Sequence, residues 1–415
     1  MDKETILSII SQNIKLAKKG KYQKRDILSK AKELLDVKHI LSLVGVRRCG
    51  KSTILKELVR TALKKTASSN VLYLNLENPF FNQYKGDVLN LERIYEIFLG
   101  QCDKKQKIYA FFDEIQFFSD WQVFIKHLYE KNQAKIVITG SNSRLLSSEL
   151  ATLLSGRAIP LYVYPFSIEE AKTTLNVYLQ NGGFPEVVLK LGDKNQLAEI
   201  YYKNILYQDV IPRFSVQNIL AIENLSYYLL SNFGKEISYN TLKSISQLDD
   251  KTAKQYISYL QDANLMYEIQ NYDFSLKKLI GNKKKIYLVD TLFANLGFRN
   301  CPDYGKLFEN YIFMVLKRAG FEIYFHQNGG ECDFVLKQGA KISNCIQACY
   351  KLTKQNKNRE IEGLLSAMKK FSIKSGYIVT TNHTEELVIE NLKIHILKEK
   401  EFRKKLGITA EVSDR

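Results

Sequence analysis

Gly45-Val46-Arg47-Arg48-Cys49-Gly50-Lys51-Ser52 satisfies the pattern G-x-x-x-x-G-K-[ST] at every fixed position. It follows the apolar run His39-Ile40-Leu41-Ser42-Leu43-Val44 and leads into Thr53-Ile54-Leu55-Lys56-Glu57-Leu58-Val59, which has helical spacing. Strand, loop and helix in that order are the context in which the pattern cradles phosphate. Gly45 and Gly50 are expected to let the backbone curl, so that successive N–H groups point at phosphate oxygens. A helix starting near Lys51 adds the positive end of its dipole. Lys51 should then reach the outer phosphates of a nucleoside triphosphate, and the Ser52 hydroxyl should hold Mg2+. Arg48, Cys49 and Thr53 complete the expected nucleotide-binding stretch with Gly45, Gly50, Lys51 and Ser52.

Downstream, Tyr109-Ala110-Phe111-Phe112-Asp113-Glu114 is an apolar strand ending in adjacent carboxylates, the partner a phosphate loop requires. An Asp at that strand end accepts from a Mg2+-bound water, while the next Glu polarises the attacking water. Position separates the labour: Asp113 near the metal, Glu114 near the terminal phosphate. Lys135-Ile136-Val137-Ile138-Thr139-Gly140-Ser141-Asn142 is another buried strand with small polar residues at its end. Ser141 or Asn142 is expected to bond the γ-phosphate or orient the water, and Ser141 can also cap the following helix. Leu153-Leu154-Ser155-Gly156-Arg157 then places an Arg where it can serve a neighbouring copy as an arginine finger.

The bulk numbers fit a soluble multidomain chain. At 415 residues two or three domains are expected, and 45% hydrophobic with 25% charged residues leaves ample material for cores. No apolar stretch approaches the length of a membrane helix, and Met1-Asp2-Lys3-Glu4-Thr5 lacks the apolar run of a secretory signal. The six cysteines form no C-x-x-C pair, so reduced thiols in the cytoplasm are expected. A net charge of +17 points to a polyanionic partner, nucleic acid first.

Along the chain, residues 1–37 read as basic helix, with Leu7, Ile9, Ile10, Ile14 and Leu16 as its apolar face. Residues 40–44, 70–76, 108–113 and 135–140 read as strands separated by helical patterns, which predicts a parallel sheet covered on both faces. Residues 166–191 read as helical around the turn Gly182-Gly183-Phe184-Pro185. Two short helices over 237–260 and the alternating Leu265-Met266-Tyr267-Glu268-Ile269 look like a winged helix-turn-helix. In its second helix Thr252, Lys254, Gln255 and Ser258 are the residues able to reach a groove, and Tyr256, Ile257 and Tyr259 read as core. Lys283-Lys284-Lys285 reads as a basic loop, and the region from Gly305 as helix, three strands, helix, strand and a charged tail.

Taken in order, Gly-Val-Arg-Arg-x-Gly-Lys-Ser, Phe-Phe-Asp-Glu-Ile-Gln with Trp121 after it, Thr-Gly-Ser-Asn-Ser-x-Leu-Leu, Leu-x-Gly-Arg, Pro-Phe-Ser and Gly-Gly-Phe-Pro-Glu resemble a known series. It is that of prokaryotic AAA+-type ATPases with a C-terminal restriction-endonuclease-like domain. The resemblance spans nearly the whole chain. It implies an α/β P-loop fold: an N-terminal helical segment (1–37), an AAA+ core (38–164), a lid (165–194), a helical and winged-helix region (195–282) and the nuclease-like domain (283–415). It carries over Lys51, Ser52, Asp113, Glu114, Ser141 or Asn142, and Arg157, with ATP and Mg2+ as cofactors.

Nucleases of that type use a helix Glu, a strand Asp and then Glu-x-Lys or Gln-x-Lys. Here Glu309, Asp333 and Gln347 match, and together they could hold one hard cation. Cys349 stands where the Lys belongs, and Lys351 lies two residues further on the same strand. A scaffold that binds nucleic acid without cutting it is therefore expected. The leading expectation for the whole chain is a homo-oligomeric, Mg2+-dependent ATPase acting on nucleic acid, DNA above all, away from membranes. The alternatives are a nucleotide-gated switch recruiting a protein partner and, third, a metal-dependent nuclease.

Overall fold

The computed structural model describes residues 2–20, 22–141, 154, 156–281, 283–298 and 302–408. The chain divides into two units, one of residues 1–170 with 262–264 and one of residues 171–261 with 265–415.

In the first unit five strands form one parallel sheet: β1 (Ile40–Val44), β2 (Val71–Asn75), β3 (Ile108–Asp113), β4 (Ala134–Gly140) and β5 (Ala158–Tyr162), in the order β2-β3-β4-β1-β5. Every residue of β1 and β3 is buried, which is why these segments read as unbroken apolar runs instead of alternating ones. The fifth strand carries no clear strand signal, because Ala-Ile-Pro-Leu-Tyr contains Pro160 and only Leu161 of its five residues is buried. It forms the sheet edge beside β1, where a missing N–H can be tolerated.

Helix α1 (Lys3–Lys18) starts at Asp2, whose carboxylate accepts from Thr5 N at 2.8 Å. Its buried face is Ile6, Ile10, Asn13, Ile14 and Ala17, which keeps Ile10 and Ile14 of the face expected but turns Leu16 out, 58% exposed. Asn13 explains the difference: its amide donates to the Tyr73 carbonyl of β2 at 3.2 Å, so a polar residue occupies the contact face. A second helix, α2 (Ile27–Glu33), precedes β1, and α3 (Lys51–Ala62) follows the phosphate loop. The remaining cover includes α4 (Leu89–Leu99) and α5 (Trp121–Lys131), whose Ile94, Phe98, Trp121 and Phe124 join Leu72, Leu74 and Phe112 in one core cluster.

The second unit begins with the short helices Leu175–Asn181 and Pro185–Val188 on either side of Gly182-Gly183. Gly182 has φ +71°, and a Cβ there would stand 1.7 Å from Asp290 Oδ1. Helices Lys194–Asn204, Ile219–Ser231, Tyr239–Ser246 and Asp250–Asp262 follow. Next comes a small antiparallel sheet of β6 (Glu236–Ile237), β7 (Met266–Gln270) and β8 (Lys284–Leu288), ordered β6-β8-β7. Two expectations change here. Lys284 and Lys285 of the lysine run are strand, not loop, and β8 belongs with β7, so a boundary at residue 283 would separate paired strands. Pairing with β7 and β6 gives these backbone groups their partners and turns Lys285 inward, 1% exposed.

The chain ends in a six-stranded mixed sheet ordered β13-β14-β12-β11-β10-β9, where β9 is Glu322–Gln327, β10 Glu331–Gln338, β11 Lys341–Ala348, β12 Ser375–Thr380, β13 Glu385–Ile389 and β14 Leu392–Lys398. Helices Tyr304–Arg318 and Lys357–Lys370 accompany it. The expected charged tail is instead the hairpin β13–β14 and the helix Glu399–Lys405. Among its charges Ile394 and Ile396 are fully buried, and β14 runs parallel to β12.

Candidate nucleotide site

The phosphate loop leaves β1 at the C-terminal edge of the sheet, the edge where open α/β sheets bind ligands. Gly50 has φ +103° and caps α3, so Gly is required there for the turn. Gly45 is required for another reason than the curl expected of it: a Cβ would stand 1.9 Å from the Val163 carbonyl. Arg48 takes a left-handed conformation, φ +67°, unusual for a side-chain-bearing residue. Lys51 is buried, and its ammonium donates to the Gly45 and Val46 carbonyls at 3.1 and 3.2 Å and lies 3.6 Å from Glu114 Oε1. Cys49 is fully buried, and burial raises its thiol pKa, so it acts as a small apolar wall.

The strand order places the end of β4 between the phosphate loop and β3. Thr139 of β4 uses that position twice: its hydroxyl donates to Asp113 Oδ1 at 2.6 Å and accepts from Glu114 N at 2.9 Å. Ser52 donates to the same Asp113 oxygen at 3.1 Å, so the two residues expected to share a metal stand side by side. Tyr73 of β2 donates to Asp113 Oδ2 at 3.3 Å. Burial, with Glu114 next to it, pushes the Asp113 carboxyl up to about 6, against the lowering effect of Thr139 and Ser52. Glu114 sits in the left-handed region, φ 55°, which turns it away from the strand direction. Gln116 Nε2 donates to Glu114 Oε2 and lies 3.5 Å from Ser141 Oγ. Thr53 lies in the first turn of α3. Asn142 lies outside the described residues.

Arg25, within the stretch expected to be basic helix, is buried against the loop. It falls in the break between α1 and α2. Its guanidinium donates to the Cys49 carbonyl at 3.0 Å, the Tyr164 carbonyl at 2.6 Å and Glu170 Oε1 at 2.9 Å, and it lies over the Phe166 ring. In a planar trans peptide C=O and N–H point in opposite directions. Holding the Cys49 carbonyl outward therefore turns the Gly50 N–H toward the inside of the loop. No sequence signal marks Arg25, because its partners are two backbone carbonyls and a Glu 145 positions away.

Arg157 stands at the far edge of the same sheet: its carbonyl accepts from Ile40 N at 2.8 Å, at the start of β1, and its guanidinium is 3.5 Å from Glu130 Oε1. It serves no phosphate bound to its own loop from there. In the second unit, Tyr256, Ile257 and Tyr259 are buried and Lys254 and Gln255 exposed, while the Thr252 hydroxyl is engaged by Asp249 at 2.7 Å.

The expected second metal site is not assembled as anticipated. Glu309, Asp333 and Gln347 are all buried. The Gln347 amide oxygen accepts from Asp333 N at 3.2 Å and its nitrogen donates to Glu360 at 2.7 Å, so these two partners fix its orientation. Among the described residues no His, Cys, Asp and Glu group has the geometry of a metal site. Lys351 is not a substitute for the missing lysine: β11 ends at Ala348, and Lys351 lies beyond it, exposed, near the Tyr350 ring. Burial pushes the Cys349 thiol up to about 12, so it stays neutral.

Comparison with known proteins gives the class first. Residues 37–172 match the family described as AAA domain, so the first unit carries an AAA-type P-loop ATPase domain, and residues 172–299 match a domain of unknown function, DUF8612. The chain as a whole belongs to the family of the uncharacterized protein MJ1544 of Methanocaldococcus jannaschii, 30% identical over 420 residues that span 93% of this chain and 91% of that protein. An uncharacterized protein of Haemophilus influenzae is 28% identical over 402 residues, 91% of this chain and 97% of its own. Solved structures with some likeness include the Aeropyrum pernix ORC1 protein in complex with DNA, 14% identical with a TM-score of 0.29 over 65% of this chain and 90% of that one. Another is the S. cerevisiae Hsp104-ADP complex, 12% identical with a TM-score of 0.33 over 61% of this chain and 40% of that one. Likeness of that degree says nothing about substrate or partner. No helix among the described residues is long and apolar enough to cross a membrane.

Proposed function

We propose that the chain is a Mg2+-dependent ATPase that couples ATP turnover to binding or remodelling of nucleic acid, DNA above all. The observation that carries the ATPase reading is the Ser52–Asp113 contact of 3.1 Å beside Glu114 and Lys51. Ser52 and Asp113 fit a hard oxygen-ligated cation, which supplies neutralisation of phosphate charge when bound. Lys51 exchanges its loop carbonyls for phosphate oxygens. Glu114, held by Gln116, orients the attacking water and takes up its proton. Arg157 serves the phosphate of a neighbouring copy. Support for nucleic acid comes from the net charge of +17. It comes also from the helix pair followed by a small antiparallel sheet, read as a winged helix, and from the final sheet, read as a restriction-endonuclease-like scaffold. In this reading residues 165–194 form the lid.

One experiment tests both halves: ATP turnover of wild type, Lys51→Ala and Glu114→Gln, with and without duplex DNA, across a salt series. Lys51→Ala is expected to lose ATP affinity. Glu114→Gln is expected to keep ATP while losing roughly a hundredfold or more in turnover, the scale of a lost general base. DNA affinity should fall with salt at a log–log slope of about −0.9 per phosphate contacted. Unchanged turnover in Glu114→Gln would end the catalytic assignment. ATP binding without turnover in wild type would favour the nucleotide-gated switch, and no DNA binding at low salt would remove that partner.

A further inference from the structure

Lys285 is the most buried cation among the described residues of the second unit, 1% exposed, and nothing in the nucleotide site uses it. It is delivered by β8, while the carboxylates it meets belong to β10 and to the helix Tyr304–Arg318. Its ammonium lies 2.5 Å from Glu331 Oε1, 3.8 Å from Glu309 Oε1 and 3.8 Å from Asp333 Oδ1. The Phe325 ring, 5.2 Å away, closes another side. The two buried carboxylates have further partners. Glu309 Oε2 accepts from Lys306 at 2.7 Å and Oε1 from the Tyr287 hydroxyl at 2.6 Å, while Asp333 Oδ2 accepts from Ala348 N at 2.9 Å. A shift of pairing register between β9 and β10, from Cys332 to Val335, sets Asp333 in this position.

Two carboxylates buried side by side repel one another: burial, with Glu309 beside it, raises the Asp333 carboxyl, and a cation between the two works against that rise. A divalent metal would do this through shared oxygens, with Gln347 as a third ligand, but the Gln347 amide is oriented by Asp333 N and Glu360, and Lys285 stands 3.8 Å from both Glu309 and Asp333. The ammonium does it instead. Burial works against the charge on Lys285, yet Glu309, Asp333 and Glu331 outweigh that and hold its pKa above the ordinary lysine value. Glu331, despite its own burial, is held below the usual carboxylate range by the same lysine.

We propose that Lys285 is a built-in replacement for a divalent cation: its ammonium closes the Glu309–Asp333–Glu331 cluster, so the intact chain binds no metal there. The cluster is a lock fastening β8 to the helix Tyr304–Arg318 and to β10, not a catalytic centre. Taking the ammonium away leaves oxygens that a small divalent ion can gather. This inference stands apart from the ATPase reading, since none of its residues belongs to the phosphate loop.

The test is Mn2+ binding to the full-length, nucleotide-free chain, read from the loss of the free-ion electron paramagnetic resonance signal. An Asp113→Asn background removes the other metal site. The parent chain is expected to bind no Mn2+ at the cluster. Lys285→Met is expected to bind one ion per chain, to lose it again on adding Asp333→Asn, and to regain in Mn2+ the thermal stability it loses without it. Mn2+ bound by the parent and released by Asp333→Asn would overturn the proposal. So would a Lys285→Met chain that binds no Mn2+, or one that stays unfolded in Mn2+ as it does without it.

Discussion

Arg25 anchors the phosphate loop from outside by holding the Cys49 carbonyl, which presents the Gly50 N–H to a phosphate. Replacing it by Ala would strand the buried Glu170 carboxylate, a cost of about 3–5 kcal/mol that would mix folding with function. Arg25→Lys keeps a cation for Glu170 but has no planar fork to span two carbonyls as well. Losing one charge-assisted hydrogen bond of about 1.5 kcal/mol predicts a KM for ATP about tenfold higher, with kcat at saturation nearly unchanged. Steady-state kinetics separates the outcomes: a fall in kcat at constant KM would mean that Arg25 acts elsewhere than on the cradle. Gly45 shows the same lesson in backbone form, since its need for glycine lies in the approach of the Val163 carbonyl.

At the scale of elements, the turn between helices Leu175–Asn181 and Pro185–Val188 is held by Asp290, which caps the residues after β8 and accepts from Gly183 N at 2.8 Å and Leu292 N at 2.9 Å. Burial raises its carboxyl to about 6, although Leu292 N, Gly183 N and Arg318 favour the charged form. A carboxyl whose folded pKa is raised favours folding while protonated. Its contribution is full below about pH 4 and is lost as pH rises through about 6, at most about 3 kcal/mol at 1.36 per unit. Asp290→Asn should therefore gain on wild type across that window and run parallel to it above. Urea unfolding of both chains at several pH values reads this directly, and curves parallel throughout would refute it.

At the scale of the whole molecule the open matter is assembly. Arg157 lies at the sheet edge opposite its own phosphate loop, so the proposed finger role requires another copy's nucleotide. Turnover per chain should rise with protein concentration, and Arg157→Ala should bind ATP but hydrolyse it poorly. Mixing Arg157→Ala with Glu114→Gln should restore part of the activity, because some interfaces then join an intact finger to an intact Glu114. Concentration-independent turnover together with no rescue would point to a monomer that works as a switch.

The local code of the phosphate loop was legible because it is contiguous: Gly45 to Ser52 must be near each other whatever the fold does, and an apolar strand must precede them. The carboxylates at the end of β3 were legible for the same reason, since burial on both faces leaves an unbroken apolar run before Asp113. What only the tertiary structure decided are the meetings between distant segments. Thr139 became the bridge between Asp113 and Glu114 because β4 lies between β1 and β3, and strand order is not written in any one strand. Arg25 and Lys285 looked like surface charge because lysine and arginine usually are. Each is buried by partners 24 to 145 positions away for Arg25, and 24 to 48 away for Lys285. A sequence states which side chains carry charge; which of those charges lose their water is settled only when the elements pack.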